Sequence, residues 1–150
     1  MIEQLVSQFY SESWDYFAMT QGNQLIRDSL TRAKECVSSH LWAKLVEDWF
    51  HDAYIMQLHC INAYSLSIDV RRHNDSVSIL FPFVSSFECF GTLLDHSASF
   101  PNTDHDRPIA QILDIWIELE DEVTMIILLD NCRYLQIRCN PNQPITCSHN

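Results

Sequence analysis

The chain predicts an α+β fold, with about three N-terminal helices packed on a largely antiparallel, meander-type sheet of six or seven strands. Hydrophobic period is the first reason: apolar residues return every three or four positions up to residue 50 and alternate after residue 53. Segregation is the second, because helices that precede a run of strands suit a layer covering one face of an antiparallel sheet. The third is composition. The 150 residues are 47% hydrophobic and include 8 Phe, 5 Tyr and 4 Trp, enough to bury a core. One domain over 1–139 is expected, helical over 1–51 and sheet over 52–139, with 140–150 a loose tail.

The helical part reads as three periods. Ile2, Leu5, Val6 and Phe9 lead to Tyr16 and Phe17, and Gly22-Asn23 ends that run. Ile26, Leu30, Ala33 and Val37 form a second, and Leu41, Leu45 and Trp49 a third. Ser38 or Ser39 suits the cap between them, since a serine oxygen accepts from the free N–H groups of the next turn.

Strand signals follow. Tyr64, Leu66, Ile68 and Val70 alternate with Ser65, Ser67, Asp69 and Arg71, which is the pattern of a half-buried strand. Ala53 to Ile61 is expected to pair with it, and His73-Asn74-Asp75-Ser76 turns the chain into Val77 to Val84. Phe87 to Leu93 is a further candidate, before the Ser-, Pro- and Asn-rich loop from Ser97 to Pro108. Ile109 to Glu120 and Val123 to Asp130 flank an acidic turn, and Tyr134 to Cys139 completes a second three-strand unit that loosely echoes the first. Asn140 to Asn150 holds Pro141 and Pro144 with no apolar period, hence the expected tail.

The balance of 9 Lys+Arg against 20 Asp+Glu gives a formal charge of −11. That field disfavours nucleic acid and anionic membrane surfaces and favours a basic protein partner. Two Gly in the chain leave no phosphate-cradling loop. No secretory n-region or h-region opens the sequence, so a cytoplasmic protein is expected, with its six cysteines reduced and no cofactor required.

Three groups of side chains are candidates for function. Glu118, Glu120, Asp121 and Glu122 form the densest acidic patch at a hairpin, with Asp104 and Asp106 on the preceding loop, and they suit docking on a basic surface. His51, Asp52 and His59, with His96 or His105 as further members, suit acid/base chemistry or a metal. Long apolar strands such as Met125 to Leu129 suit pairing between subunits in a homo-oligomer. No serine sits in a nucleophile elbow, and no cysteine lies in a catalytic context.

Phe9-Tyr10-Ser11-Glu12-Ser13-Trp14 and Phe50-His51-Asp52-Ala53-Tyr54-Ile55 resemble motifs of a group of uncharacterised bacterial proteins, which open with a Phe-x-x-Glu-Trp helix and later show a His-Asp-x-x-Ile strand. Ser13 departs from that opening. The resemblance implies helices followed by a sheet and no particular activity. In size, charge and architecture the chain is also similar to small acidic immunity proteins that neutralise bacterial toxins, a likeness that implies a role and no residues. These readings favour a non-enzymatic acidic protein-binding module, an immunity-type inhibitor of a basic toxin, over a metal-dependent or acid/base enzyme and over an oligomeric protein of unknown role.

Overall fold

A computed structural model describes residues 23–90, 107–130 and 133–150. They form α1 (Asn23–Arg32), a 3-10 turn (Lys34–Cys36) and α2 (Ser39–Val46). The strands are β1 (Tyr54–Cys60), β2 (Leu66–Arg72), β3 (Asp75–Phe81), β4 (Val84–Phe90), β5 (Ala110–Leu119), β6 (Val123–Leu129), β7 (Tyr134–Cys139) and β8 (Thr146–His149). All eight belong to one antiparallel sheet in the order β4-β7-β6-β5-β1-β2-β3-β8.

This overturns the expected helices-on-sheet architecture with six or seven strands. Among the described residues the helices are two short ones, and sheet dominates. The second helical period stops at Arg32, because the chain tightens into the 3-10 turn and Val37 is extended. The third stops at Val46, and Asp48 at φ 58° and Asp52 at φ 64° reverse the chain into β1. Ser38 is the N-cap: its Oγ accepts from the Leu41 N–H at 3.2 Å. The first expected helix lies outside the described residues.

The extra strand comes from the segment read as a tail. Ile145 forms an isolated bridge with Val37, and Thr146–His149 pair with Val77–Leu80 of β3. Burial of Ile145 and Cys147 anchors the segment. Two alternate apolar positions next to two prolines give too short a period to stand out.

Connectivity dictates how the sheet bends. β1 and β5 meet through two residue pairs, Tyr54↔Gln111 and Ile55↔Ala110. On either side lie four-stranded halves, β1-β2-β3-β8 and β5-β6-β7-β4. Pro82 and Phe83 alone join β3 to β4. Six strand spacings in a flat sheet amount to about 29 Å, whereas three peptide links reach at most about 11 Å. The sheet therefore folds back at the β1–β5 corner and lays one half over the other. In doing so it exchanges fourth strands: β4 follows β3 in sequence but pairs with β7, and β8 follows β7 but pairs with β3.

The core lies between the halves. Leu66, Ile68 and Val70 of β2 and Val77, Ile79 and Phe81 of β3 join Val123, Met125, Ile127 and Leu129 of β6 in one cluster. β6 is buried along its whole length, as expected of a near-continuous apolar run in mid-sheet. α1 packs on β5 and α2 on β8. Among the described residues no helix is long and apolar enough to cross a membrane.

Candidate functional site

Folding the sheet over gathers the connections of both halves at one end. The β1–β2 turn, the β3–β4 link and the end of β7 are tied there by backbone bonds: Val84 N–H donates to Tyr64 O at 2.7 Å, and Asn140 N–H to Phe83 O at 3.0 Å. Ser65 Oγ donates to Pro82 O at 2.9 Å, and Tyr64 N–H donates to Asn62 Oδ1 at 2.8 Å. Secured in this way, Tyr64 and Phe83 remain 64% and 44% exposed, with Ile61 exposed nearby. They line a shallow groove of about 520 Å³ with Asn62, Pro82 and Gln143.

The acidic hairpin adjoins this groove. Glu120 N–H donates to Glu122 O at 3.1 Å, closing the turn, and Glu120 and Asp121 are exposed. Ser85 Oγ donates to the Glu122 carboxylate, which holds the hairpin against the start of β4, two residues beyond Phe83. Glu118, on β5, is half-buried. Burial raises its pKa, and Glu120 adds to the effect. Asp104, Asp106, His96 and His105 lie outside the described residues.

The second candidate group does not assemble as the sequence suggests. His51 and Asp52 are neighbours, with Nε2 and Oδ2 3.6 Å apart. His59 lies near the far end of β1, about 17 Å along the strand from Tyr54, where its Nε2 is 2.9 Å from Asp69 Oδ2. Asp69 also accepts from Ser78 Oγ at 2.7 Å, so that pair bridges β1, β2 and β3. Among the described residues no three His, Cys, Asp or Glu side chains converge as a metal-holding group.

His51 has a different companion. Its Nδ1 lies 2.6 Å from Leu113 O, so the proton on Nδ1 donates to that carbonyl and Nε2 is left as the basic nitrogen. The carbonyl raises the histidine pKa. Partial burial works against this, and Asp52, Asp48 and Asp114 reinforce it. Leu113 is free to offer its carbonyl because the β5–β6 register shifts between Ile112 and Asp114. The same irregularity places Asp114 opposite Leu128, on the face away from Ile115 and Ile117.

Asp114 lines a cleft of about 630 Å³ with Arg27, Trp42, Asp48, Phe50 and His51. Burial pushes its carboxyl up to about 6, and Asp48 adds to the rise. The Ile115 N–H, 2.8 Å from Oδ1, and His51 pull the other way. Sequence reading passed over Asp114 as a functional residue. The signal was an Asp, disfavoured in strands, inside the run Ile112-Leu113-Asp114-Ile115-Trp116-Ile117.

No protein-family model matches the chain, and no curated protein sequence matches it.

Proposed function

We propose that the protein is a non-enzymatic binding module that docks a basic protein partner through the loop end of the folded sheet. The observation that carries the proposal is the juxtaposition of exposed Tyr64 and Phe83 with the acidic tip at Glu120, Asp121 and Glu122. Productive interfaces combine an apolar or aromatic centre, which supplies most of the binding energy, with a charged rim that steers encounter. Here the centre sits on backbone fixed by four hydrogen bonds, so little ordering entropy is lost on binding. The charge of −11 extends the attraction beyond the hairpin itself. A cytoplasmic immunity-type inhibitor of a basic toxin is the role that this chemistry fits.

The test is to isolate the partner by cross-linking and affinity capture, and then to measure its association rate and affinity at several salt concentrations. Glu120→Lys with Asp121→Lys should slow association and flatten its salt dependence, whereas Tyr64→Ala or Phe83→Ala should weaken affinity by about tenfold or more, mainly through faster dissociation. A partner that is itself acidic, or binding indifferent to salt and to these substitutions, refutes the proposal.

A further inference from the structure

The sheet ends in two strands of unequal character. β8 is four residues long, and α2 packs on it. β4 is seven residues long, pairs with β7 from Val84 to Phe90, and contains no proline and one charge, Glu88. Its regular register from Phe87 to Phe90 directs the N–H and C=O groups of alternate residues away from β7. Among the described residues, the backbone of β4 bonds a group outside β7 at Val84 alone, where the N–H donates to Tyr64 O. An edge of this length, with donors and acceptors turned outward, is a template for one more strand.

The side chains along this edge say what such a strand should carry. Directly opposed residues of an antiparallel pair share a face, so the pairs Phe87↔Ile137 and Cys89↔Leu135 put Phe87 on the side of the core residues Leu135 and Ile137. Those two are buried, yet Phe87 is 41% exposed, because β4 is the last strand of its half. The other face carries exposed Glu88, opposite Gln136, and Phe90, stacked on Tyr134 at 4.7 Å. Ser85 Oγ donates to the Glu122 carboxylate, so the acidic hairpin adjoins the start of the same edge. An incoming strand thus meets an apolar ring on one face, and carboxylates on the other face and at one end.

We propose that β4 accepts an extended segment of the basic partner as an added strand, its alternate residues apolar against Phe87 and Lys or Arg against Glu88 and the acidic hairpin. The inference rests on the docking reading above and specifies the form in which the partner engages it. Main-chain bonds to β4 supply affinity, and the alternation of side chains selects the sequence. A second copy of the chain is the competing occupant. Two copies each carrying −11 repel, and pairing β4 with itself brings two Glu88 carboxylates to one two-fold interface, so charge favours the basic segment.

The probe is a fluorescein-labelled peptide, Arg-Val-Lys-Val-Arg-Val-Lys, added to the whole chain at about 0.15 M salt and followed by anisotropy and by amide hydrogen exchange. It is expected to bind with a Kd of about 100 μM or lower and to slow exchange at alternate amides between Phe87 and Phe90. An extended peptide points the N–H groups of its valines to one edge and those of its basic residues to the other. N-methylation of one set should therefore weaken binding by about tenfold or more, and N-methylation of the other set should leave it unchanged. Phe87→Ala should weaken it by about tenfold and Glu88→Lys by about fivefold. Binding that both N-methylated peptides retain, an acidic counterpart that binds as tightly, or no saturable binding up to about 2 mM overturns the inference. So does unchanged exchange at β4, or a dimer of the chain that protects the same amides. A captured partner that responds to Tyr64→Ala and Glu120→Lys but not to Phe87→Ala, with the β4 amides unprotected, sinks this inference and leaves the docking surface standing. One indifferent to salt and to Tyr64→Ala removes the docking reading itself.

Discussion

Replacing Asp114 with asparagine should stabilise the protein, by an amount that depends on pH. The native carboxyl titrates at about 6 against an ordinary value of 3.8. A rise of roughly two units is worth about 3 kcal/mol of preference for the neutral form. Because the folded-state pKa of this acid is raised, the native protein holds a proton that the unfolded chain has already released between those two values. Stability is therefore unpenalised below about pH 4, falls as pH rises towards 6, and stays depressed above it. The amide of Asp114→Asn is nearly isosteric, accepts the same Ile115 N–H and carries no charge to desolvate. Urea unfolding at pH 8 should show the variant more stable by about 2–3 kcal/mol, a rise in Tm of roughly 6–12 °C, with the gain shrinking to about half by pH 5. A variant no more stable at pH 8, or a gain of the same size at both pH values, would refute the view that burial of an uncompensated charge governs this position.

Two other predictions concern packing and thiol chemistry. Ile145→Ala should cost about 2–5 kcal/mol by urea denaturation, because Ile145 is buried and bonded to the backbone of Cys36 and Ser38; a loss below about 1 kcal/mol would mean that the segment leading into β8 does not pack. Cys139, buried and pushed up to about 12, should resist alkylation in the native state while exposed Cys60 reacts readily. Mass mapping after a short pulse of iodoacetamide distinguishes the two, and equal labelling would contradict the burial of Cys139.

Much of the sheet was legible because each strand buries one face and so writes a period of two. Leu66, Ile68 and Val70 lie inside, as do Val77, Ile79 and Phe81, and the run from Val123 to Leu129 is a strand buried on both faces. The hairpin acids were legible too, since charge concentrated between two apolar strands marks a turn. Pairing between distant strands was not legible. Nothing in Val84–Phe90 states that it lies against β7 rather than β3, because both neighbours ask for the same alternation. The exchange of β4 and β8 is a property of closure, set by the two-residue link at Pro82 and Phe83. Asp114 was missed for a related reason: its environment depends on a register shift opposite Leu128, and register is fixed by partner strands. His59 was grouped with His51 by proximity in sequence, although an extended strand carries it away along β1.

The stability argument at Asp114 also bears on how the corner of the sheet is built. If the chain were shaped for folding alone, position 114 would favour an amide or an apolar residue, since a carboxylate there opposes the native state by about 3 kcal/mol at neutral pH. Removing the charge therefore regains stability. The local backbone shows what holds the corner beside it. The turn from Asp48 to Asp52 places two residues at positive φ, and it is held by Asp52 N–H to Ile112 O at 2.9 Å and by Arg72 Nη1 to Trp49 O at 3.0 Å. Those bonds fix the turn to β5 and to β2, at the corner where the sheet folds. Asp114 is thus held in a place that costs stability by the same corner that closes the fold.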